Sequence, residues 1–197
     1  MTFFDRFLQS WRIRKARPFI KTGARVLDIG SVDGVMFQAL PNLAANCIGI
    51  DPTLKTIIRE KGYTLIPGFF PADMPDAEQF DTITLLAVLE HFPEHAYPSL
   101  VQGCLKHLKP GGRIIITVPS PLVDHILKLL SALRLVHGMS LEEHHGYEIK
   151  QTKVMAAHCA VVLRQRTANG SLWGMPMIAT ISPISLGSSR KCARVMN

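Results

Sequence analysis

Residues 26–34 read VLDIGSVDG, a hydrophobic strand that runs directly into a turn rich in glycine and acidic residues. A second short apolar run, CIGI, follows at 47–50 and ends on Asp51. An α/β sheet builds a nucleoside pocket from a strand, a tight glycine turn, a helix, and a second strand that ends in a carboxylate. Glycine at positions 30 and 34 lets the backbone approach a ligand, and the carboxylate of Asp51 can accept hydrogen bonds from both ribose hydroxyls. This stretch therefore predicts a nucleoside-binding α/β domain.

The size and composition predict one folded domain. The chain has 197 residues, of which 47% are hydrophobic and 19% charged, which is typical of a globular protein and not of a disordered one. Its four cysteines are scattered without paired spacing, so reduced thiols fit better than a disulfide framework or a zinc site. The start of the chain lacks the pattern of a secretory signal, and the leucine-rich stretch 126–136 is interrupted by Lys128 and Arg134. We therefore expect a cytoplasmic protein without a transmembrane segment.

The formal net charge is +7, and much of it lies at the two ends of the chain. The basic residues that crowd these ends are Arg6, Arg12, Arg14, Lys15, Arg17, Lys21, Arg25, Arg190, Lys191 and Arg194. A solvated basic surface is the simplest interpretation of this pattern. Contact with nucleic acid or peripheral contact with an anionic membrane is the alternative.

Hydrophobic periodicity predicts strands that alternate with helices. An amphipathic helix is predicted at 3–17, where it would cover one end of the sheet. The predicted strands are 25–29, 47–51, 64–67, 80–87, 113–118, 159–164 and 177–181, and the further predicted helices are 35–43, 54–61 and 98–108. This order predicts an α/β fold with a doubly wound, mostly parallel seven-stranded sheet, helices on both faces, and an antiparallel C-terminal strand.

The chain divides into three predicted parts. Residues 1–24 form the N-terminal helical segment, and 25–181 form the ligand-binding domain. Within that domain, the leucines of 119–147 and the acids and histidines that follow them predict a lid or substrate-binding insert. Residues 182–197 form a basic tail without apolar periodicity, which we expect to be poorly ordered.

Four segments in this order resemble the class I, Rossmann-like, S-adenosylmethionine-dependent methyltransferases. They are 26–34, 49–52, 80–91 and 108–112, and together they span about residues 20–120. The turn GSVDG lacks the glycine spacing of a dinucleotide-binding fingerprint, so NAD is a poorer fit. The resemblance implies that S-adenosylmethionine is the cofactor and that the chain transfers a methyl group.

The resemblance implies that the first motif cradles the methionine part of the cofactor. Its matching positions here are Asp28, Gly30, Ser31 and Gly34. The family commonly has glycine at the centre of this motif, where this chain has Val32. Because valine disfavours positive φ, we expect Val32 to adopt an ordinary conformation with its side chain turned away from the ligand.

The same resemblance places the nucleoside contacts further along the chain. Asp51, followed by Pro52, matches the acid that holds the ribose. The loop that contains Phe69 and Phe70 matches the segment that flanks the adenine, although the acid that often follows Gly68 in the family is missing. We expect adenine recognition to depend on backbone groups and on apolar or aromatic contact.

The end of the fourth predicted strand faces the reaction centre in the family. Leu86 and Ala87 match the positions beneath the cofactor, and His91 opens the following helix. His91 is the candidate catalytic residue, a general base near the methyl acceptor, because histidine side chains can gain and lose a proton near neutral pH. An equally strong alternative is that His91 caps or packs the start of the helix.

The sequence predicts no metal site. Histidines and acids cluster at 142–147, but adjacent residues in a loop seldom point at one ion. Some quinone-modifying relatives carry a carboxylate at the position of Ala87, and this chain does not. A substrate-side loop or a solvated surface fits the cluster better.

The implied function is direct methyl displacement onto a small-molecule or lipid-like acceptor. Two alternatives remain: a cofactor-binding scaffold that does not turn over, and a nucleic-acid methyltransferase. Base-modifying enzymes usually carry a polar-aromatic or proline-aromatic signature at the end of the fourth strand. Residues 86–89 read LAVL, so nucleic acid is the less favoured acceptor.

Overall fold

The computed structural model describes residues 3–40, 42–118, 161–166 and 177–183. In these ranges the helices are α1 (Phe3–Ala16), α2 (Val35–Ala39) and α3 (Tyr97–His107). The strands are β1 (Val26–Ile29), β2 (Cys47–Asp51), β3 (Ile58–Glu60), β4 (Tyr63–Pro67), β5 (Phe80–Leu86), β6 (Leu108–Val118), β7 (Val161–Arg166) and β8 (Met177–Pro183). They form one sheet in the order β3-β4-β2-β1-β5-β6-β8-β7.

The centre of the sheet is parallel and its two edges are antiparallel. Strands β4, β2, β1, β5 and β6 run in one direction. At one edge β3 pairs antiparallel with β4, and at the other β8 lies antiparallel between β6 and β7. The predicted fold class is confirmed, and the described sheet contains one strand more than the seven predicted.

The additional strand replaces a predicted helix. The sequence favoured a helix at 54–61, but Ile58–Glu60 is an edge strand whose Ile58 lies opposite Leu65 of β4. This prediction was wrong. Thr56, Ile57 and Ile58 are β-branched and lose side-chain freedom in a helix, and pairing with β4 satisfies the backbone of this short segment.

Two hydrophobic clusters cover the two faces of the sheet. Because side chains alternate along a strand, Leu27 and Val26 of β1 point to opposite faces. On the Leu27 face, α3 contributes fully buried residues such as Leu100. On the Val26 face, α1 contributes Ile13 and α2 contributes Met36. Helices on both faces were predicted, and the two clusters confirm them.

Helix α1 matches its prediction closely and continues into a 3-10 turn at Arg17–Phe19. Helix α3 ends at His107, as the Lys-Pro-Gly-Gly sequence after it predicts. That sequence belongs to the start of β6, where the pairing with β5 shifts register between Phe80 and Thr82.

The remaining predicted segments fall largely outside the described ranges. The predicted insert at 119–147 lies outside the described residues. Strand β6 ends just before it, at Val118. Strand β8 continues to Pro183, two residues past the predicted end of the domain, and 184–197 are not described. None of the helices that are described is long and apolar enough to cross a membrane.

Two leucines of α3 provide a test of the packing. Leu100 is fully buried, whereas Leu105 on the same helix is 37% exposed. We expect Leu100→Ala to lower the free energy of unfolding by about 2–5 kcal/mol, because it removes buried methyl groups and leaves a cavity. Leu105→Ala is the matched control and should cost less than about 1 kcal/mol. Urea titration of both variants measures the difference, and equal losses would contradict the placement of α3.

Candidate functional site

The carboxyl ends of four adjacent strands bring four turns to one edge of the sheet. In spatial order they are the turn after β4, the end of β2, the turn after β1 and the turn after β5. The chain leaves β1 towards β2 on one side and returns from β4 to β5 on the other. Open α/β sheets bind ligands in the crevice at such a reversal of strand order. This edge is the candidate site.

The glycine turn after β1 folds over the end of β2. The backbone N–H of Gly30 donates to the carbonyl oxygen of Ile50 at 2.9 Å. Gly30 has a φ of +85°, and a Cβ built there would lie 2.2 Å from Cγ2 of Val88, so no side chain fits. Val32 is not among the described residues with positive φ and is 48% exposed, as predicted for a side chain turned outward.

Asp33 joins this turn to two helices. Its Oδ1 accepts the backbone N–H of Val35 at 3.2 Å, which satisfies a donor at the start of α2. Nε2 of Gln9, on α1, lies 3.1 Å from each Asp33 oxygen. Sequence reasoning named neither residue, because Asp33 lies one position before the N-cap of α2, which is Gly34.

Asp28 is a buried carboxyl group beneath the turn. The Oγ1 of Thr84 in β5 donates to its Oδ1 at 2.7 Å. Burial raises the pKa of Asp28 from 3.8 to about 7, and the hydrogen bond from Thr84 opposes that rise. The nearby charges of Asp33 and Asp51 also contribute to this rise in the pKa of Asp28. This carboxyl group therefore titrates near neutral pH.

Asp51 ends β2 and is held by the residue two positions later. Its Oδ1 accepts both the backbone N–H of Thr53 at 2.8 Å and the Thr53 hydroxyl at 2.5 Å. Both bonds reach one oxygen, so in the described part of the chain Oδ2 receives no hydrogen bond. Pro52 follows at the exposed surface. The carboxylate is thus fixed in orientation with one oxygen left for a ligand.

The two phenylalanines after β4 have different surroundings. Phe69 is 68% exposed, and its backbone N–H donates to Oδ2 of Asp73 at 2.7 Å. Phe70 is a core residue, and its ring centroid lies 5.9 Å from that of His107 on α3. The Phe70 ring is therefore not available to a ligand, whereas the Phe69 ring is exposed.

The end of β5 makes an unusual turn at Ala87. This residue has a φ of +57°, which residues other than glycine rarely adopt. Its backbone N–H donates to the carbonyl oxygen of Thr117 at 2.9 Å. Leu86, the residue before, is half-buried and packs against the cluster on the α1 face. The turn thereby brings Val88 against Gly30, so that the first and third of the predicted motif segments interlock.

His91 lies at the end of the 3-10 turn Leu89–His91 that follows, and its side chain is exposed. Its neighbour Glu90 interacts electrostatically with Arg12 of α1. Burial lowers the pKa of the Arg12 guanidinium, while the charges of Glu90 and Asp5 raise it. Arg12 is a second polar residue of α1 that the sequence did not assign to the site.

The geometry fits a nucleoside that carries a cationic group. The turn at Gly30 leaves room only for backbone, Asp51 presents one carboxylate oxygen, and Asp28 and Asp33 place two further acidic groups beside them. Carboxylates at one edge stabilise a positive ligand, and Asp28 contributes to this when it is ionised. In the described ranges no three His, Cys, Asp or Glu residues are arranged to hold a metal ion, and the cluster at 142–147 lies outside them.

Comparisons with known proteins agree on one family. The family model described as a methyltransferase domain matches residues 3–158. A ubiquinone biosynthesis O-methyltransferase of Paracidovorax citrulli is 29% identical over 140 residues, which cover 64% of this chain and 56% of that protein. The chain thus spans little more than half the length of that relative.

Two solved structures share the fold. The N-methyltransferase NodS from Bradyrhizobium japonicum superimposes with a TM-score of 0.59 and 13% identity, covering 92% of this chain and 97% of NodS. CalO1, a methyltransferase in calicheamicin biosynthesis in its SAH-bound form, gives a TM-score of 0.62 and 14% identity, covering 89% of this chain and 54% of CalO1.

The titration of Asp28 provides a test of the site. In the unfolded chain this carboxyl group loses its proton near pH 4, but in the folded protein it keeps the proton up to about pH 7. The stability contributed by this group is therefore lost as pH rises between these values. We expect Asp28→Asn to gain stability relative to the unchanged protein over that range, by at most about 4 kcal/mol.

Thermal unfolding of both proteins at pH 5 and pH 8 measures this gain. Asp76→Asn is the control, because the hydrogen bond from Lys106 lowers the pKa of Asp76 and its replacement should give no gain at high pH. A stability difference between Asp28→Asn and the unchanged protein that is the same at both pH values would contradict the raised pKa.

Proposed function

We propose that this chain, which belongs to the methyltransferase-domain family of class I S-adenosylmethionine-dependent enzymes, transfers a methyl group to a small molecule. The observation that carries the proposal is the meeting of the glycine turn, Asp51 and the 87–91 turn at one edge of the sheet. A cofactor held by the glycine turn and Asp51 would face an acceptor that lies beside the 87–91 turn. The relatives' names support the same chemistry.

The cofactor is S-adenosylmethionine, and four parts of the chain would hold it. The backbone of the glycine turn would bind the methionine portion, and the ionised form of Asp28 would stabilise its ammonium group. Oδ2 of Asp51 would accept hydrogen bonds from the ribose, and the exposed ring of Phe69 would cover the adenine.

Residues of the chain contribute mainly by positioning. The sulfonium of the cofactor supplies an activated methyl group that is transferred by direct displacement, so little covalent help from the protein is required. The strained turn at Ala87 and the Val88–Gly30 contact fix the distance between the cofactor turn and the 89–91 turn. That distance decides whether donor and acceptor meet in line.

The acceptor atom that we propose is an oxygen. Relatives that match this chain are named ubiquinone biosynthesis O-methyltransferases, which supports a small acceptor with an ionisable hydroxyl and apolar surface. An oxygen acceptor must lose a proton, and His91 is exposed at the same edge as the cofactor turn. We assign His91 as the general base.

The cofactor assignment is tested by replacing Asp51. Asp51→Ala should weaken binding of S-adenosylhomocysteine by about 1–3 kcal/mol, because the ribose hydroxyls lose a buried acceptor. Asp76→Ala, at a side chain that is 86% exposed, should bind as tightly as the unchanged chain. Isothermal titration calorimetry measures both, and unchanged affinity in Asp51→Ala would remove Asp51 from the pocket.

The catalytic assignment is tested with a panel of small phenols and hydroxyquinones and radiolabelled cofactor. His91→Ala should lower kcat by about 10²–10⁴-fold without weakening S-adenosylhomocysteine binding, as expected for loss of a general base. His95→Ala, at an exposed histidine in the next turn, is the matched control. Equal kcat values in the two variants would refute the role of His91. Tight cofactor binding with no transfer to any acceptor would favour a non-catalytic scaffold.

A further inference from the structure

Helix α1 has one face packed on the domain and one face exposed. Ile13 and Ala16 are buried, and Gln9 contacts Asp33 of the glycine turn. A helix turns about 100° per residue, so the positions away from this side form a single stripe. The exposed residues of that stripe are Arg6, Phe7, Ser10, Arg14 and Arg17, and the exposed Lys21 continues it beyond the helix.

This stripe is cationic and has no acidic neighbour along the chain. Asp5 is the only acidic residue between positions 3 and 25, and it is half-buried and interacts with Arg12 on the inner side. Residues 34–46, which include α2 on the same face of the sheet, contain no acidic residue at all. Within these two sequence ranges, Asp5 is therefore the one acidic residue that could offset the charge of Arg6, Arg14, Arg17 and Lys21.

The stripe also offers apolar surface at both ends. Near the start of α1 the side chain of Phe7 is 57% exposed. Beyond its last turn a groove of about 340 Å³ is lined by Arg17 and Lys21 together with Ile20, Leu40 and Leu43. Cations beside apolar walls match a ligand that has an anionic head and a hydrocarbon body.

We propose that this surface, the outer face of α1 with the groove beyond it, docks on an anionic lipid bilayer. The cations attract acidic headgroups, while Phe7 and the apolar wall of the groove enter the acyl boundary. Double-stranded nucleic acid is the other anionic partner, but its phosphate backbone offers no counterpart to an exposed phenylalanine and an apolar groove. The inference does not depend on the proposed methyl transfer.

Docking through this surface would orient the protein in a way that suits an apolar acceptor. Gln9 and Arg12, on the inner side of the same helix, contact or face the turns of the candidate site. A bilayer that touches the outer side near Phe7 would lie close to the glycine turn that Gln9 contacts, while the groove beyond α1 lies beside the residues that precede β1 and β2. A lipophilic acceptor would then reach the site from the membrane surface.

Vesicle co-sedimentation of the full chain tests the proposal. The probes are vesicles of phosphatidylcholine alone and vesicles of phosphatidylcholine mixed with phosphatidylglycerol. We expect binding to the mixed vesicles only, weakened by salt, because the attraction is electrostatic. Replacing both Arg14 and Arg17 by glutamine should reduce the binding constant by about 20-fold or more, at roughly fivefold per cation.

Matched variants distinguish the effect of this surface from the general effect of removing a charge or an apolar side chain elsewhere on the protein. Lys55→Gln combined with Arg59→Gln removes two exposed cations near β3 and should leave vesicle binding unchanged. Phe7→Ala should weaken binding about tenfold, whereas Leu105→Ala on α3 should not. Unchanged circular dichroism and S-adenosylhomocysteine affinity establish that each variant is folded.

Three outcomes would overturn the proposal. The first is equal binding to neutral and anionic vesicles, and the second is equal loss in the α1 and β3 variants. The third is tighter binding to a short DNA duplex than to the mixed vesicles at the same salt concentration, which would assign the surface to nucleic acid. If the unchanged chain binds the mixed vesicles but transfers no methyl group, the docking proposal stands and only the proposed function is rejected.

Discussion

The hydrogen bond from Thr84 to the buried carboxyl group of Asp28 joins the two central strands of the sheet. It links positions 56 residues apart in the chain, and the same Thr84 hydroxyl also lies 3.2 Å from the carbonyl oxygen of Leu27. A buried polar group without a partner costs about 1–3 kcal/mol, so β1 and β5 are held in one register. That register places the glycine turn beside the turn at Ala87, and the candidate site depends on it.

The parts of the fold that could be predicted carry local signals. The β1 strand and its glycine turn are read from adjacent residues, and Asp51 follows directly from the end of a short apolar run. Parallel pairing then brings the ends of the strands together without further information, since the direction of each strand fixes its carboxyl edge. The paired strands at 161–166 and 177–183 were also within reach, because largely apolar stretches of strand length occur at 159–163 and 177–181.

The parts that could not be predicted depend on contacts between distant segments. Residues 58–60 form a strand by pairing with the edge of β4, and no pattern within the segment identifies that partner. Phe70 and Phe69 are identical in type and adjacent in sequence. Phe70 is buried because Gly103 of α3 leaves space for its ring. A Cβ at Gly103 would lie 3.0 Å from that ring. Gln9 belongs to the site only because α1 crosses the sheet face.

Helix α1 connects the chemistry of the site to the outer surface of the protein. On its inner side Gln9 binds the oxygens of Asp33, and Asp33 in turn caps α2, so the glycine turn is held from two directions. Three carboxyl groups lie at that edge, whereas the charged residues on the outer side of the same helix are all cations. The two sides use different residues, so a partner bound outside does not compete with the contacts inside. The opposite charges orient the molecule in the field of an anionic surface, with the cationic face towards it and the acidic site at an adjoining edge.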